Sequence, residues 1–300
     1  MSHSNSVEFV PNGGWDERIL VCRNAPLVDT FIVVTQRYVV IVDTMINEVT
    51  AEKLWERARP YLTPSRSLLV INTHADYDHS WGNQFFAAMN APIIGRRASV
   101  PIFSEPDPLS FLQRVQAEEP DIFGKVIPTP PTILFDDKLT IDGGDLTLHL
   151  FATPGHTVDH ASLYIPEINT LLAADAAEAP YPMARTTDGL PAMRQSLAQL
   201  AALNAATVLY CHAPTTLGAQ LLQDNIAYFD KLDVACRAAL ARGVPANPPE
   251  DADVIELVGL PYAQAVPPID MWQNIHEYYR THGHTAQLRM MLASLAGIGA

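Results

Sequence analysis

The stretch SLLVINTHADYDH, residues 67–79, decides the reading of this chain. Its first part, Ser67–Asn72, carries a continuous apolar run, as expected of a strand buried on both faces. Directly after it, Thr73-His74-Ala75-Asp76-Tyr77-Asp78-His79 places four potential metal ligands within six residues. Alternate residues of an extended segment point the same way, so His74 and Asp76 face together, and Asp78 and His79 come off the turn that follows. Such a density of histidine and aspartate at the end of a buried strand is costly unless a cation compensates it. The alternative is a hydrophilic turn with incidental histidines, and motifs further along the chain weigh against it.

Upstream, residues 18–23, 27–35 and 38–43 are β-branched runs separated by short polar breaks, which read as an antiparallel meander. A helix is expected from about Asn47 to Arg59, stopped by Pro60. Downstream, residues 80–90 read as helix and 92–95 as a short strand, and the strand–helix–strand alternation points to βαβ packing. The proline-rich stretch 104–131 surrounds one amphipathic piece, Leu109–Glu118, and reads equally as an insertion or lid and as a surface connection. Strands are then expected near 132–135, 138–141, 146–151, 161–165 and 170–174, with Asp142-Gly143-Gly144-Asp145 as a hairpin turn. A helix over Pro191–Leu203, a strand over 207–211 and a long helix from Thr216 to Arg242, closed by Gly243 and Pro245, follow. A proline-rich run, 245–268, leads to two last helices near 270–281 and 285–296.

The chain has 300 residues, 48% hydrophobic and 17% charged, which is ample for a core and excludes a wholly disordered chain. Its net charge of −14 argues against a nucleic-acid backbone or an anionic membrane as partner. No apolar run approaches the ~20 residues of a membrane span. The N-terminal MSHSNSVEFVPNGG lacks the basic region and apolar stretch of a secretory signal. Cys22, Cys211 and Cys236 are far apart and in no metal-ligand pairing, so they read as free thiols of a reducing compartment. A cytoplasmic protein acting on a small-molecule substrate is the expectation.

Three further motifs each follow a predicted apolar strand: Pro154-Gly155-His156-Thr157, Ala174-Asp175 and Cys211-His212. A lone histidine in a loop is usually nothing. Ligands collected at strand ends along one edge of packed sheets make a polynuclear metal site.

The order of these motifs resembles the metallo-β-lactamase superfamily, whose pattern is His-x-His-x-Asp-His, then a histidine, a bridging aspartate and a last histidine. Val42-Asp43-Thr44 is similar to the family's strand-ending Asp-Thr. The resemblance covers roughly residues 15–245. It implies an α/β fold, an αββα four-layer sandwich of two mixed sheets with helices outside. Residues 1–245 would form the catalytic domain and 246–300 a C-terminal helical extension. Carried over by position, one divalent metal takes His74, Asp76 and His156, and the other takes Asp78, His79 and His212. Asp175 bridges them together with a hydroxide or water. The departure is Asp76, where the common pattern has histidine and the flavodiiron branch has glutamate. The extra negative charge makes a softer Lewis acid, and two histidines with two carboxylates per metal suit zinc but also iron or manganese.

The resemblance implies a hydrolase in which the bridging hydroxide attacks an ester-like bond, whether lactone, ester, thioester, phosphoester or β-lactam. Asp78 would hold the hydroxide and carry its proton to the leaving group. Tyr181 is a candidate donor to the substrate oxyanion, as a tyrosine after the bridging aspartate is in related lactonases, with a packing tyrosine as the alternative. Asp159 or His160 is a candidate to fix the tautomer of His156, with a solvated turn as the equal alternative. Arg185, Arg96 and Arg97 read as contacts to an anionic substrate or as solvated arginines. Cys211 reads as core, and His3, His149, His276, His282 and His284 have no motif around them. A reading of a different class is a di-iron or mono-iron redox enzyme on the same fold, flavodiiron-like or sulfur dioxygenase-like, and Asp76 keeps it in view. A non-catalytic binding module is set against by the intact ligand set. In the tail, Trp272, Ile275 and Tyr279 share one helical face and Leu288, Met291, Leu292 and Leu295 another. Those faces must bury against the protein itself, the rim of the site or a partner chain, which a homodimer would supply.

Overall fold

The β-branched runs of the first half pair in the order in which they occur. The computed structural model describes residues 3–267 and 277–298. The chain divides into two compact units: Met1–Ala152 with Asp159–Ala174 and Thr207–Thr216, and Thr153–Val158 with Asp175–Ala206 and Leu217–Ala300.

The first unit holds both sheets. Strands β1 (Glu8–Val10), β2 (Ile19–Asn24), β3 (Val28–Val34), β4 (Tyr38–Val42), β5 (Ser67–Ile71), β6 (Ile93–Arg96) and β7 (Ile133–Phe135) form a seven-stranded sheet in sequential order. The meander β1–β4 is antiparallel, and β4 through β7 run parallel. Helix α1 (Glu48–Ala58) makes the crossover that a parallel β4–β5 pair requires. Its Asn47 cap accepts from the Thr50 backbone N–H while the Thr50 hydroxyl accepts from Asn47, and the chain turns out through Pro60. The second sheet has the order β12 (Thr207–Leu209), β11 (Thr170–Leu172), β10 (Ala161–Ile165), β9 (Thr147–Ala152), β8 (Lys138–Asp142), antiparallel except for the β11–β12 pair. One apolar cluster draws Phe31, Ile41, Val70 and Ile94 from the first sheet and Leu148, Leu150, Leu163 and Leu209 from the second. Each such side chain contributes about 1.5–3 kcal/mol by leaving water.

The expected 80–90 helix is two short ones, α2 (Tyr77–Ser80) and α3 (Asn83–Ala88). The break is at Gly82, where a Cβ would stand 2.1 Å from the Thr44 carbonyl oxygen, so only glycine lets this segment approach the end of β4 so closely. The proline-rich stretch forms α4 (Pro106–Glu118) and α5 (Pro120–Phe123), whose Leu112, Val115 and Phe123 build a cluster of their own with Ile46 and Trp81.

The second unit is helical: α6 (Gly189–Ala202), α7 (Gln220–Ala241), α8 (Val254–Val258), α9 (Tyr262–Ala265) and α10 (His284–Leu295). The long helix starts at Gln220 rather than Thr216, after Gly218 with φ 55°. Helices α8 and α9, within the proline-rich 245–268 run, are too short to leave a periodic signal. Leu288, Met291 and Leu292 of α10 are buried within this unit, and the Cys236 thiol of α7 lies 3.8 Å from the Leu288 carbonyl. Arg289 donates to the carbonyls of Pro248, Pro249, Glu250 and Ala252. Leu288, Met291 and Leu292 of the expected α10 face are therefore covered by their own chain, and Leu295 is half-buried. The helix expected near 270–281, with Trp272 and Ile275, lies mostly outside the described residues; Tyr279–Gly283 is a π-helical turn. Among the described residues, no helix is long and apolar enough to cross a membrane.

Candidate metal centre

In the first unit, strand β4 ends at Val42, and Asp43 after it turns into a left-handed conformation with φ 66° and is fully buried. A carboxylate there must find donors. Its Oδ1 accepts from the Thr73 N–H (2.8 Å), and its Oδ2 accepts from the Thr73 hydroxyl (2.8 Å) and from His79 Nδ1 (2.9 Å). Since the Thr73 hydrogen goes to Asp43, its oxygen accepts from His74 Nδ1 at 3.0 Å. His212, just beyond β12, donates from Nδ1 to the Leu27 carbonyl at 2.8 Å. Carboxylates and carbonyls only accept, so Nδ1 is the donor in His79 and His212, as it is towards Thr73 in His74, and in each neutral ring the lone pair then lies on Nε2.

Those lone pairs converge. His79 Nε2 lies 3.3 Å from His212 Nε2, and Asp78 Oδ2 lies 3.4 Å from His212 Nε2 and 3.8 Å from His79 Nε2. His74 Nε2 is 3.4 Å from Asp76 Oδ2, and the His74 and His79 rings are 4.1 Å apart. Acceptors drawn this close repel one another unless a cation shares them, so this nitrogen-and-oxygen donor set fits a divalent metal such as zinc, iron or manganese. The motif is held in this shape by its own backbone. The Asp76 carbonyl accepts from the N–H groups of His79 and Ser80 and so opens α2. The Ser80 hydroxyl donates back to the Ala75 carbonyl at 2.9 Å.

Asp159 does different work from that expected of it. Its Oδ2 accepts from the Ala75 N–H at 2.8 Å, so it ties down the motif backbone instead of standing behind His156. His160 packs its ring 5.0 Å from that of His74. Arg96 and Arg97 both donate to Asp136.

In the second unit, His156 follows Gly155, whose φ is 144° and whose Cβ would meet the Met193 backbone of α6 at 2.4 Å. His156 donates from Nδ1 to the Met183 carbonyl at 3.0 Å, the same tautomer as the other three. Its Nε2 lies 3.6 Å from Asp175 Oδ2 and 3.3 Å from the guanidinium of Arg185. Asp175 lies on a 3-10 turn over Ala174–Ala176 instead of at the end of a strand running to 174, because Ala174 takes φ 48° and β11 stops at Leu172. Buried Glu178 accepts from the Met183 N–H at 3.2 Å and the Tyr279 hydroxyl at 3.3 Å.

Tyr181 corrects the expectation of an oxyanion donor. It is 0% exposed, its hydroxyl donates to the Tyr279 carbonyl at 2.6 Å, and its ring stacks on Tyr228 at 4.0 Å. Burial pushes its pKa well up, and we assign it to packing. The first unit thus brings together His74, Asp76, Asp78, His79 and His212, and the second brings together His156 and Asp175. The sequence reading did not foresee Thr73 and Glu178, and Asp43 only as part of a motif. The Leu27 and Met183 carbonyls have no side-chain signal that could have revealed them.

The sequence profile described as the Metallo-beta-lactamase superfamily matches residues 24–212. The hydroxyacylglutathione hydrolase of Hahella chejuensis is 28% identical over 194 residues, 60% of this chain and 62% of its own length. That of Rhodospirillum rubrum is 26% identical over 215 residues, 69% of each. The chain therefore spans less than two thirds of the Hahella relative. Among solved structures, a metallo-beta-lactamase family protein from Thermus thermophilus aligns with a TM-score of 0.60 at 18% identity, covering 97% of this chain and 94% of that one. A metallo-beta-lactamase from Pontibacter korlensis aligns with a TM-score of 0.55 at 16% identity, covering 74% of this chain and 97% of its own.

Proposed function

The chain belongs to the metallo-beta-lactamase superfamily and has its α/β fold, and from that premise we propose that it is a dinuclear metal-dependent hydrolase of an ester-like bond, with thioesters as its first substrate class. The observation that carries the proposal is the set of three acceptors, His79 Nε2, His212 Nε2 and Asp78 Oδ2, drawn within 3.3–3.8 Å of one another. Asp78, His79 and His212 would hold one ion. His74 and Asp76 would serve the other, and the family pattern alone assigns His156 to that ion and Asp175 to both. Bound divalent ions supply a water of lowered pKa and polarise the oxygen of the scissile bond. Asp43 keeps His79 and, through Thr73, His74 in the tautomer that can ligate. Asp78, nearly buried, is the carboxylate we assign to moving the proton from the attacking water to the leaving group.

The thioester class is supported by the two relatives named as hydroxyacylglutathione hydrolases. Asp76 adds a carboxylate where the family pattern has histidine, which supports iron or manganese as well as zinc in the ion beside His74. The test is hydrolysis of a thioester, lactone and phosphoester panel, before and after chelation and metal return. Thioester cleavage that is lost on chelation and restored by metal is the expected result. A coloured, iron-loaded protein that consumes oxygen and cleaves none of the panel would replace the hydrolase with the redox reading.

A further inference from the structure

What orients His156 is a backbone carbonyl, that of Met183, in a stretch of chain without regular secondary structure. That stretch is gripped from the C-terminal end of the protein. Gln287 of α10 is almost fully buried, and it pairs with both backbone groups of Ala184: Oε1 accepts from the Ala184 N–H at 3.2 Å and Nε2 donates to the Ala184 carbonyl at 2.9 Å. On the other side of Met183, its N–H donates to Glu178, which in turn takes the Tyr279 hydroxyl. Tyr181 donates to the Tyr279 carbonyl. Asn225 of α7 closes the base of the loop, its Oδ1 accepting from the Glu178 N–H at 3.1 Å and its Nδ2 donating to the Glu178 carbonyl at 2.9 Å.

We propose that Gln287 is a positioning residue of the metal centre: by clamping Ala184 it fixes the Met183 carbonyl, and through it the tautomer and aim of His156. The proposal rests on the reading of His156 as a metal ligand. A primary amide is the chemistry the clamp requires, since it offers one acceptor and one donor to the two backbone groups of a single residue. Without it, two buried backbone groups lose their partners and the loop relaxes towards others. The proton of His156 is then no longer pinned to Nδ1, and the tautomer protonated at Nε2 cannot ligate through that nitrogen. The C-terminal extension would thus serve the site without contributing a ligand, and the site would depend on a helix more than a hundred residues away in sequence from Met183.

The test uses the full chain loaded with cobalt(II), read by its visible d–d bands and by the rate at which a chelator removes the ions. Wild type is compared with His156→Ala, Gln287→Leu and Tyr181→Phe, with far-UV circular dichroism as a fold control. His156→Ala should lose one ion. Gln287→Leu should keep both, with altered bands and with one ion leaving about 10-fold faster. Tyr181→Phe, which removes one hydroxyl from the same latch, should shift the bands in the same sense by less. If Gln287→Leu does not fold, Gln287→Glu serves in its place, because it keeps the acceptor for the Ala184 N–H and opposes the Ala184 carbonyl. Wild-type bands and rates in the Gln287 variant, with an ion still lost in His156→Ala, would overturn the positioning role alone. Both ions retained in His156→Ala would overturn the ligand reading, and the positioning role with it.

Discussion

Replacing Asp43 by asparagine separates metal binding from folding. The buried Asp43 carboxylate takes three hydrogen bonds, from the Thr73 N–H, the Thr73 hydroxyl and His79 Nδ1. The amide of Asp43→Asn can keep its oxygen on the Thr73 N–H and turn its NH2 towards the other two. The Thr73 hydroxyl can rotate to accept. His79 can answer only by moving its proton to Nε2, so that Nδ1 accepts from the amide. That proton then points at His212 Nε2, 3.3 Å away, and makes a hydrogen bond where two lone pairs faced each other. The metal-free protein should therefore lose little, no more than about 1–2 kcal/mol, because hydrogen bonds are exchanged and few are lost. Metal affinity should fall about 10–100-fold, or roughly 1.4–2.7 kcal/mol, since the ion must first drive the tautomer back. Competition with a chromophoric chelator measures the affinity, and calorimetry of the metal-free protein measures the stability. Wild-type affinity in Asp43→Asn would refute the tautomer argument. An unfolded metal-free variant would refute the claim that the bonds are exchanged.

Asp76→His should retain two ions, move metal preference towards zinc and lower the apparent pKa of the pH–rate profile. Zinc-to-iron ratios after growth in mixed metals check this, and loss of the ion beside His74 would show that Asp76 fits a geometry histidine cannot reach. His284, between the Leu260 carbonyl and the Tyr228 hydroxyl, has its pKa lowered below 6.5 by burial. The unfolded chain takes up that proton as pH falls through about 6.5 and the folded chain does not, so this contribution is intact above that pH. It is lost below it at up to about 1.4 kcal/mol per pH unit, down to the folded pKa. In His284→Asn the slope of melting temperature against pH between 5.5 and 6.5 should flatten, and an unchanged slope would contradict the assignment.

The strands and the motif were legible because both are local. Apolar, β-branched runs mark β2, β3, β4 and β5, and four of the seven expected ligands, His74, Asp76, Asp78 and His79, lie within six residues of one another. What was not legible depends on distant backbone. The helix breaks at Gly82, where Thr44 passes close by, and although glycine is a weak helix former, nothing within residues 80–90 announces that neighbour. Asp159 looked like a partner of His156 by proximity in sequence, yet the folded chain takes its carboxylate to Ala75. Tyr181 has the right residue type at the right interval for an oxyanion donor, and only burial and the Tyr279 carbonyl show that its hydroxyl is already engaged. Gln287 sits in an ordinary amphipathic helix, where one polar residue on the buried face is a weak sign of work done elsewhere.

The most direct measurement is elemental analysis of metal per chain in the wild type and in Asp175→Ala. Two ions per wild-type chain are expected, with a larger loss in Asp175→Ala than in any single change at His74, Asp76, Asp78, His79, His156 or His212, because both ions lose a ligand there. A wild-type chain that binds no metal, or an Asp175→Ala chain that keeps two ions, would contradict the dinuclear hydrolase.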